Sequence, residues 1–148
     1  MRQNREGSRK KRLRAMRVSF TASSQTSLTH RQRRGVLAFL QQHCTEITEI
    51  HLGDCINGDE QIHFLACSLN LWDLIILHPP SNPIKRAYCS APTTCKPKPY
   101  LERNWDIARA CDILLAAPQQ AKEIIRSGTW ATVRYSKQLG KTVIILNP

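Results

Sequence analysis

The sequence predicts an α/β domain built on a five-stranded parallel sheet, with helices covering both faces. Three observations lead there. Five short runs, at 16–21, 49–53, 74–78, 113–118 and 142–146, are mostly apolar, as strands buried on both sides require. Stretches with helical spacing of apolar residues separate them. Each loop rich in glycine or polar residues (21–27, 53–59, 78–98 and 126–129) comes after a strand. In a parallel sheet such loops converge at the carboxyl edge, where ligands bind at the reversal of strand order.

The chain has 148 residues, enough for one domain with a real core. No apolar run approaches the roughly 18 residues of a membrane span, so no membrane partner is expected. The net charge of +11 is uneven: residues 1–17 hold eight Lys/Arg against Glu6, a net of +7, leaving +4 for the rest. Residues 1–15 lack the hydrophobic content for a core and read as a disordered basic tail, ahead of a domain at 16–148. Such a tail suits a nucleic-acid arm. It equally suits a solvated extension, or a translation start at Met16. The six cysteines (Cys44, Cys55, Cys67, Cys89, Cys95 and Cys111) are widely spaced with no C-x-x-C pair, which argues against zinc. With no signal sequence before them they read as free thiols of a cytoplasmic protein. Neither a metal nor a cofactor is expected.

The first strand ends in a polar turn at 22–27. A helix begins near Thr29, with Gln32 three residues on in a capping-box arrangement. Val36, Leu37, Phe39 and Leu40 give this helix one broad apolar face. The second strand runs into the tight loop Gly53-Asp54-Cys55-Ile56-Asn57-Gly58-Asp59, and a helix carrying Ile62, Phe64, Leu65, Ala66 and Leu69 follows. The third strand stops at Pro79-Pro80. From Pro79 to Pro99 the chain holds six prolines, and so long a structureless connection is often functional. Pro99 suits the first turn of a helix that runs to about Cys111. Trp130 and Tyr135 share the last helix and read as packing residues rather than stacking platforms.

The strongest site candidate is Arg126-Ser127-Gly128-Thr129, which opens that last helix. Gly128 lets the backbone approach a ligand, and the N–H groups of the first turn lack intrahelical acceptors. The helix dipole and Arg126 add positive charge. The pattern suits a phosphate; the plainer alternative is a turn at Gly128 and a cap from Thr129.

Several motifs then occur in order: Gly53-Asp54-Cys55-x-x-Gly58-Asp59, His78-Pro79-Pro80-x-Asn82-Pro83, Lys98-Pro99-Tyr100-Leu101-Glu102-Arg103-Asn104 and Arg126-Ser127-Gly128-Thr129-Trp130-Ala131-Thr132. In these the chain resembles the SLOG superfamily of Rossmann-like domains, which includes the LOG-type phosphoribohydrolases and DNA-processing protein A. The likeness runs from about Met16 to Pro148. It implies a three-layer α/β/α Rossmann-like fold with strand order 3-2-1-4-5, and binding of nucleotides or nucleotide-derived ligands. Relatives often dimerise through their helices. Two departures stand out. Ala22 occupies a position where relatives usually carry glycine, so its methyl group would narrow the approach of a phosphate. In LOG enzymes an arginine and a glutamate serve hydrolysis of an N-glycosidic bond; Arg103 matches the arginine, but the glutamate position is Thr132.

The expected ligand set is therefore Thr21, Gly53, Asp54, Gly58, Asp59, His78, Arg103, Arg126, Ser127, Gly128 and Thr129. The sugar is placed near Gly53 and Asp54. If the protein is an enzyme, Asp54 or Glu102 would replace the missing glutamate beside Arg103, in an N-glycosidase acting on nucleoside 5′-monophosphates. Asp54 also fits ribose binding without catalysis, or hydrogen bonding of loop amides, and Asp59 fits a helix cap. Single-stranded nucleic-acid binding is the third reading. Its expected signature is a steep salt dependence.

Overall fold

Strand β1 (Met16–Ala22) occupies the middle of the sheet, pairing in parallel with β2 (Ile47–Leu52) on one side and β5 (Ile113–Ala117) on the other. The computed structural model describes residues 15–148, so the basic tail lies outside the described residues except for Ala15. Strands β3 (Ile75–Leu77) and β4 (Thr93–Thr94) extend the sheet beyond β2, and β6 (Thr142–Ile145) extends it beyond β5. The order is β4-β3-β2-β1-β5-β6, with every pairing parallel.

The five expected strands take the expected order; the sheet has six because the proline-rich connection contributes one. That connection turns back along β3 and pairs Thr93 and Thr94 with Ile76 and Leu77. Proline donates no ladder hydrogen bond, so pairing is confined to the stretch between Pro92 and Pro97, where the β-branched Thr93 and Thr94 pair and Cys95 N donates to Leu77 O at 2.8 Å. The loop is also pinned elsewhere. His63 Nε2 lies 2.7 Å from Ser90 O, and the Trp72 indole N–H donates to the same carbonyl at 3.0 Å.

Helices α1 (His30–His43) and α2 (Gly58–Ser68) cover one face of the sheet; α3 (Tyr100–Ala110) and α4 (Gly128–Gln138) cover the other. The alternation of β5 divides the core accordingly. Leu115 and Ala117 join Phe20, Val36, Leu40 and Ile62, while Leu114 and Ala116 join Ile107, Trp130 and Val133. The capping box at Thr29 forms in both directions: Gln32 N donates to Thr29 Oγ1 and Thr29 N donates to Gln32 Oε1, each at 3.1 Å. The buried amide of Gln32 does more. Its Nε2 donates to Pro118 O at 2.8 Å and Leu146 O at 3.0 Å, joining α1 to the ends of β5 and β6.

Among the described residues no helix is long and apolar enough to cross a membrane.

Candidate functional site

The chain leaves β1 toward one edge of the sheet and leaves β5 toward the other, so their carboxyl ends open a crevice. A cleft of about 710 Å³ lies there. Residues 21–25 after β1 form one wall, α3 forms the floor, and the segment at 119–127 with the first turns of α4 closes the other side.

The Arg126-Ser127-Gly128-Thr129 stretch borders this cleft as a helix N-terminus. Ser127, not Thr129, is the N-cap; its Oγ accepts from Trp130 N at 3.3 Å. Among the described residues the amides of Gly128 and Thr129 have no protein acceptor. A Cβ on Gly128 would stand 3.3 Å from the Tyr100 ring and 3.7 Å from Asn104 Nδ2, so a larger side chain would fill the cradle. Arg126 stands exposed at its rim.

Arg103 and Asp59 reach the cleft from opposite sides. The Arg103 guanidinium, only 5% exposed, donates from Nη2 to Cys55 Sγ at 3.1 Å and lies 4.8 Å from the Tyr100 ring centre. Its Nε has no partner among the described residues, and the same is true of Asn104 Nδ2, Trp130 Nε1 and Asp59 Oδ1. All four residues line the cleft and are at least nine-tenths buried. Buried polar atoms normally find partners; these four, each shut off from solvent, gather behind the walls of one cavity. Asp59 Oδ2 accepts from Cys55 N at 3.2 Å. Burial raises its carboxyl pKa to about 6, against the opposing pull of the nearby Arg103 charge. Burial and the Asp59 charge push the Cys55 thiol up to about 11, which disfavours a thiolate there, although the Arg103 charge pulls the other way.

The glycines explain how these groups fit. A Cβ on Gly53 would collide with the Arg103 guanidinium and the Asp59 carboxylate, so this glycine lets both rest on the β2 terminus. A Cβ on Gly58 would collide with the Ala22 methyl. The methyl thus packs against Gly58, and Gly58 N donates to Ser23 O at 3.0 Å. Ala22 ends β1 without a positive φ, so nothing in its backbone requires glycine.

Of the expected ligand residues, Thr21, Asp59, Arg103, Arg126, Ser127, Gly128 and Thr129 meet at the cleft; Gly53, Asp54, Gly58 and His78 do not line it. Asp54 sits in the left-handed region at φ 51° with its carboxylate turned into the proline-rich loop. There it accepts from Cys89 N at 3.0 Å and Arg86 Nε at 3.4 Å. Glu102 is exposed on α3, away from the cleft. Thr132 is fully buried, and its hydroxyl donates to Gly128 O within its own helix. His78 Nε2 stands 2.8 Å from His51 Nδ1, and His51 Nε2 stands 2.8 Å from Glu49 Oε2. Burial and the neighbouring imidazole hold His78 down to about 4. Asp59 stands at the second position of α2 rather than at its cap, which is Asn57.

Sequence reasoning gave no role to Asn104, Tyr100, Arg134 or Cys55. Asn104 lies next to Arg103 in the quoted motif, and that adjacency was the available signal. Arg134 shares no motif with its partners. It lines the cleft and holds the 119–126 segment, donating to Glu123 Oε1 at 3.0 Å and Ile125 O at 3.1 Å.

Fold and cleft together define a Rossmann-like α/β/α domain with a crevice at the carboxyl edge of its parallel sheet. No protein-family model and no curated protein matches the sequence. Among solved structures the chain is similar to DNA processing protein A from Helicobacter pylori, described for its single-stranded DNA binding mode. That match has a TM-score of 0.62 and 14% identity, and covers 92% of this chain and 67% of that one. It is also similar to TM1055, a structural-genomics target, with a TM-score of 0.60, 16% identity, and coverage of 86% and 71%. At these identities the likeness concerns the fold.

Proposed function

We propose that the protein binds a nucleotide or nucleotide-derived ligand in this cleft, with a phosphate on the amides of Gly128 and Thr129. The observation that carries the reading is the pair of amides at Gly128 and Thr129 without acceptors among the described residues, at a helix N-terminus that borders the cleft beside the buried Arg103. Arg126 adds charge at the rim, and Arg103 supplies a fixed guanidinium from the floor. Asp59, rather than Asp54, is the carboxylate available to a sugar hydroxyl, because the Asp54 oxygens are engaged with Cys89 and Arg86. Calorimetric titration with nucleoside monophosphates tests this. Gly128→Asp places a negative side chain in the cradle and should weaken binding at least about tenfold, the equivalent of about 1.4 kcal/mol. Affinity unchanged by that substitution would count heavily against the reading.

A second reading is favoured by one observation: Asp59 combines a free oxygen with a pKa of about 6. A carboxylate of that kind beside Arg103 suits activation of water in an N-glycosidase. Release of free base from a nucleoside 5′-monophosphate, abolished by Asp59→Asn, distinguishes turnover from binding. Nucleic acid is the partner suggested by the single-stranded DNA binding of the Helicobacter pylori protein and by the net charge of +11. Its test is single-stranded DNA affinity as a function of salt, with and without residues 1–15.

A further inference from the structure

Tyr135 and Trp105 stack nearly parallel, with ring centres 4.0 Å apart and planes inclined by 10°. The Arg109 guanidinium lies over Trp105, 5.2 Å from its ring centre. The three side chains form a layered array across the α3–α4 surface, and Tyr135, which is half-buried, also lines the cleft. Tyr135 follows Gly128 by seven residues, a rise of about 10 Å along α4. Helical side chains lean toward the N-terminus, which brings the ring back toward the cradle. The cleft is apolar nearby: Leu101 is 61% exposed and Ile125 is 85% exposed, and both border it. Large exposed apolar side chains on a polar cleft favour a ligand with a flat, weakly hydrated end.

We propose that Tyr135 is the platform for a planar heteroaromatic ring, so that the ligand carries a base and is not a bare sugar phosphate. The proposal rests on the phosphate cradle at Gly128 and Thr129, and adds a second subsite to it. One face of Tyr135 is supported by Trp105, which in turn is supported by Arg109. The ring is therefore held rigidly, and stacking on its other face costs little ordering. Arg134, tied to Glu123 and Ile125 O, fixes the 119–126 segment beside the same space.

Two probes separate the subsites: adenosine 5′-monophosphate, which has both phosphate and base, and ribose 5-phosphate, which lacks the base. Calorimetry on the full chain should show the nucleotide binding roughly five- to 150-fold more tightly, the range for base–aromatic stacking. Tyr135→Ala should erase that ratio while leaving ribose 5-phosphate affinity unchanged; Tyr135→Phe should retain it. Tyr135→Leu keeps apolar packing on Trp105 without an aromatic face and should behave like the alanine variant. Retained sugar-phosphate binding shows that each variant is folded. Equal affinities for the two probes in the unaltered protein, or a ratio indifferent to Tyr135→Ala and Tyr135→Leu, overturns the platform and leaves the cradle standing. If neither probe binds, the cradle fails and the platform falls with it.

Discussion

Replacing Asp59 with asparagine should make the protein more stable at alkaline pH and worse at holding its ligand. The carboxyl group is 4% exposed, and its pKa is raised from the ordinary 3.8 to about 6. Between those two values the folded state binds more protons than the unfolded chain, so stability falls as pH rises through the window. Above about pH 6 the full cost of the buried charge is present. A displacement of about two units at 1.36 kcal/mol each gives about 3 kcal/mol. The asparagine would be neutral at every pH, although its amide would inherit an unpartnered position and return part of the gain. Urea unfolding of both proteins at several values between pH 4.5 and 8.5 measures the difference. The variant should gain about 1–3 kcal/mol at pH 8, with the gap closing toward pH 4.5. Other titrating groups cancel in the difference unless they couple to Asp59. A variant less stable than the parent at pH 8, or a difference that does not change with pH, would refute the assignment of a strained carboxylate. If the cleft binds a sugar hydroxyl through Asp59, ligand affinity should fall in the same variant, since the negative charge of the carboxylate is lost.

His78 predicts an opposite slope. With its pKa held to about 4 by burial and His51, the unfolded chain binds more protons below about pH 6.5, and stability declines as pH falls toward 4. His78→Gln should flatten that decline, as read by urea midpoints from pH 7 to 4.5. Gln32→Ala removes one arm of the capping box and leaves Pro118 O and Leu146 O without their shared donor. The expected loss is about 2 kcal/mol, measured by chemical denaturation at neutral pH; a loss below about 0.5 kcal/mol would show that water replaces the amide freely.

The five strands and the capping box at Thr29 were legible because they rest on local pattern: apolar runs, helical spacing and one residue pair three apart; the strand order came from the resemblance, since no local pattern encodes it. The helix start at Ser127-Gly128-Thr129 was legible for the same reason, a glycine between two hydroxyl residues behind a strand. The choice between Asp54 and Asp59 was not. Both lie in one seven-residue loop, and positive φ values at Asp54 and Asn57 turn its side chains in ways that no periodicity encodes. The Thr93–Thr94 strand was equally hidden, since a two-residue strand within the four residues between Pro92 and Pro97 has no period to read. Gln32 advertises its cap but not its reach to Pro118, which depends on where β5 ends in space. Tyr135 looked like packing, and half of it is: one face meets Trp105 while the residue also borders the cleft.

The contact between Ala22 and Gly58 carries a consequence for how such a sequence can change. A β-carbon on Gly58 would collide with the Ala22 methyl and would also stand 2.9 Å from the backbone oxygen of Ser23. Ala22→Gly therefore clears one obstacle and leaves the other, because a backbone carbonyl cannot swing aside as a side chain can. Gly58 is held by the path of the first loop itself, and only a change in that path would free the position to mutate.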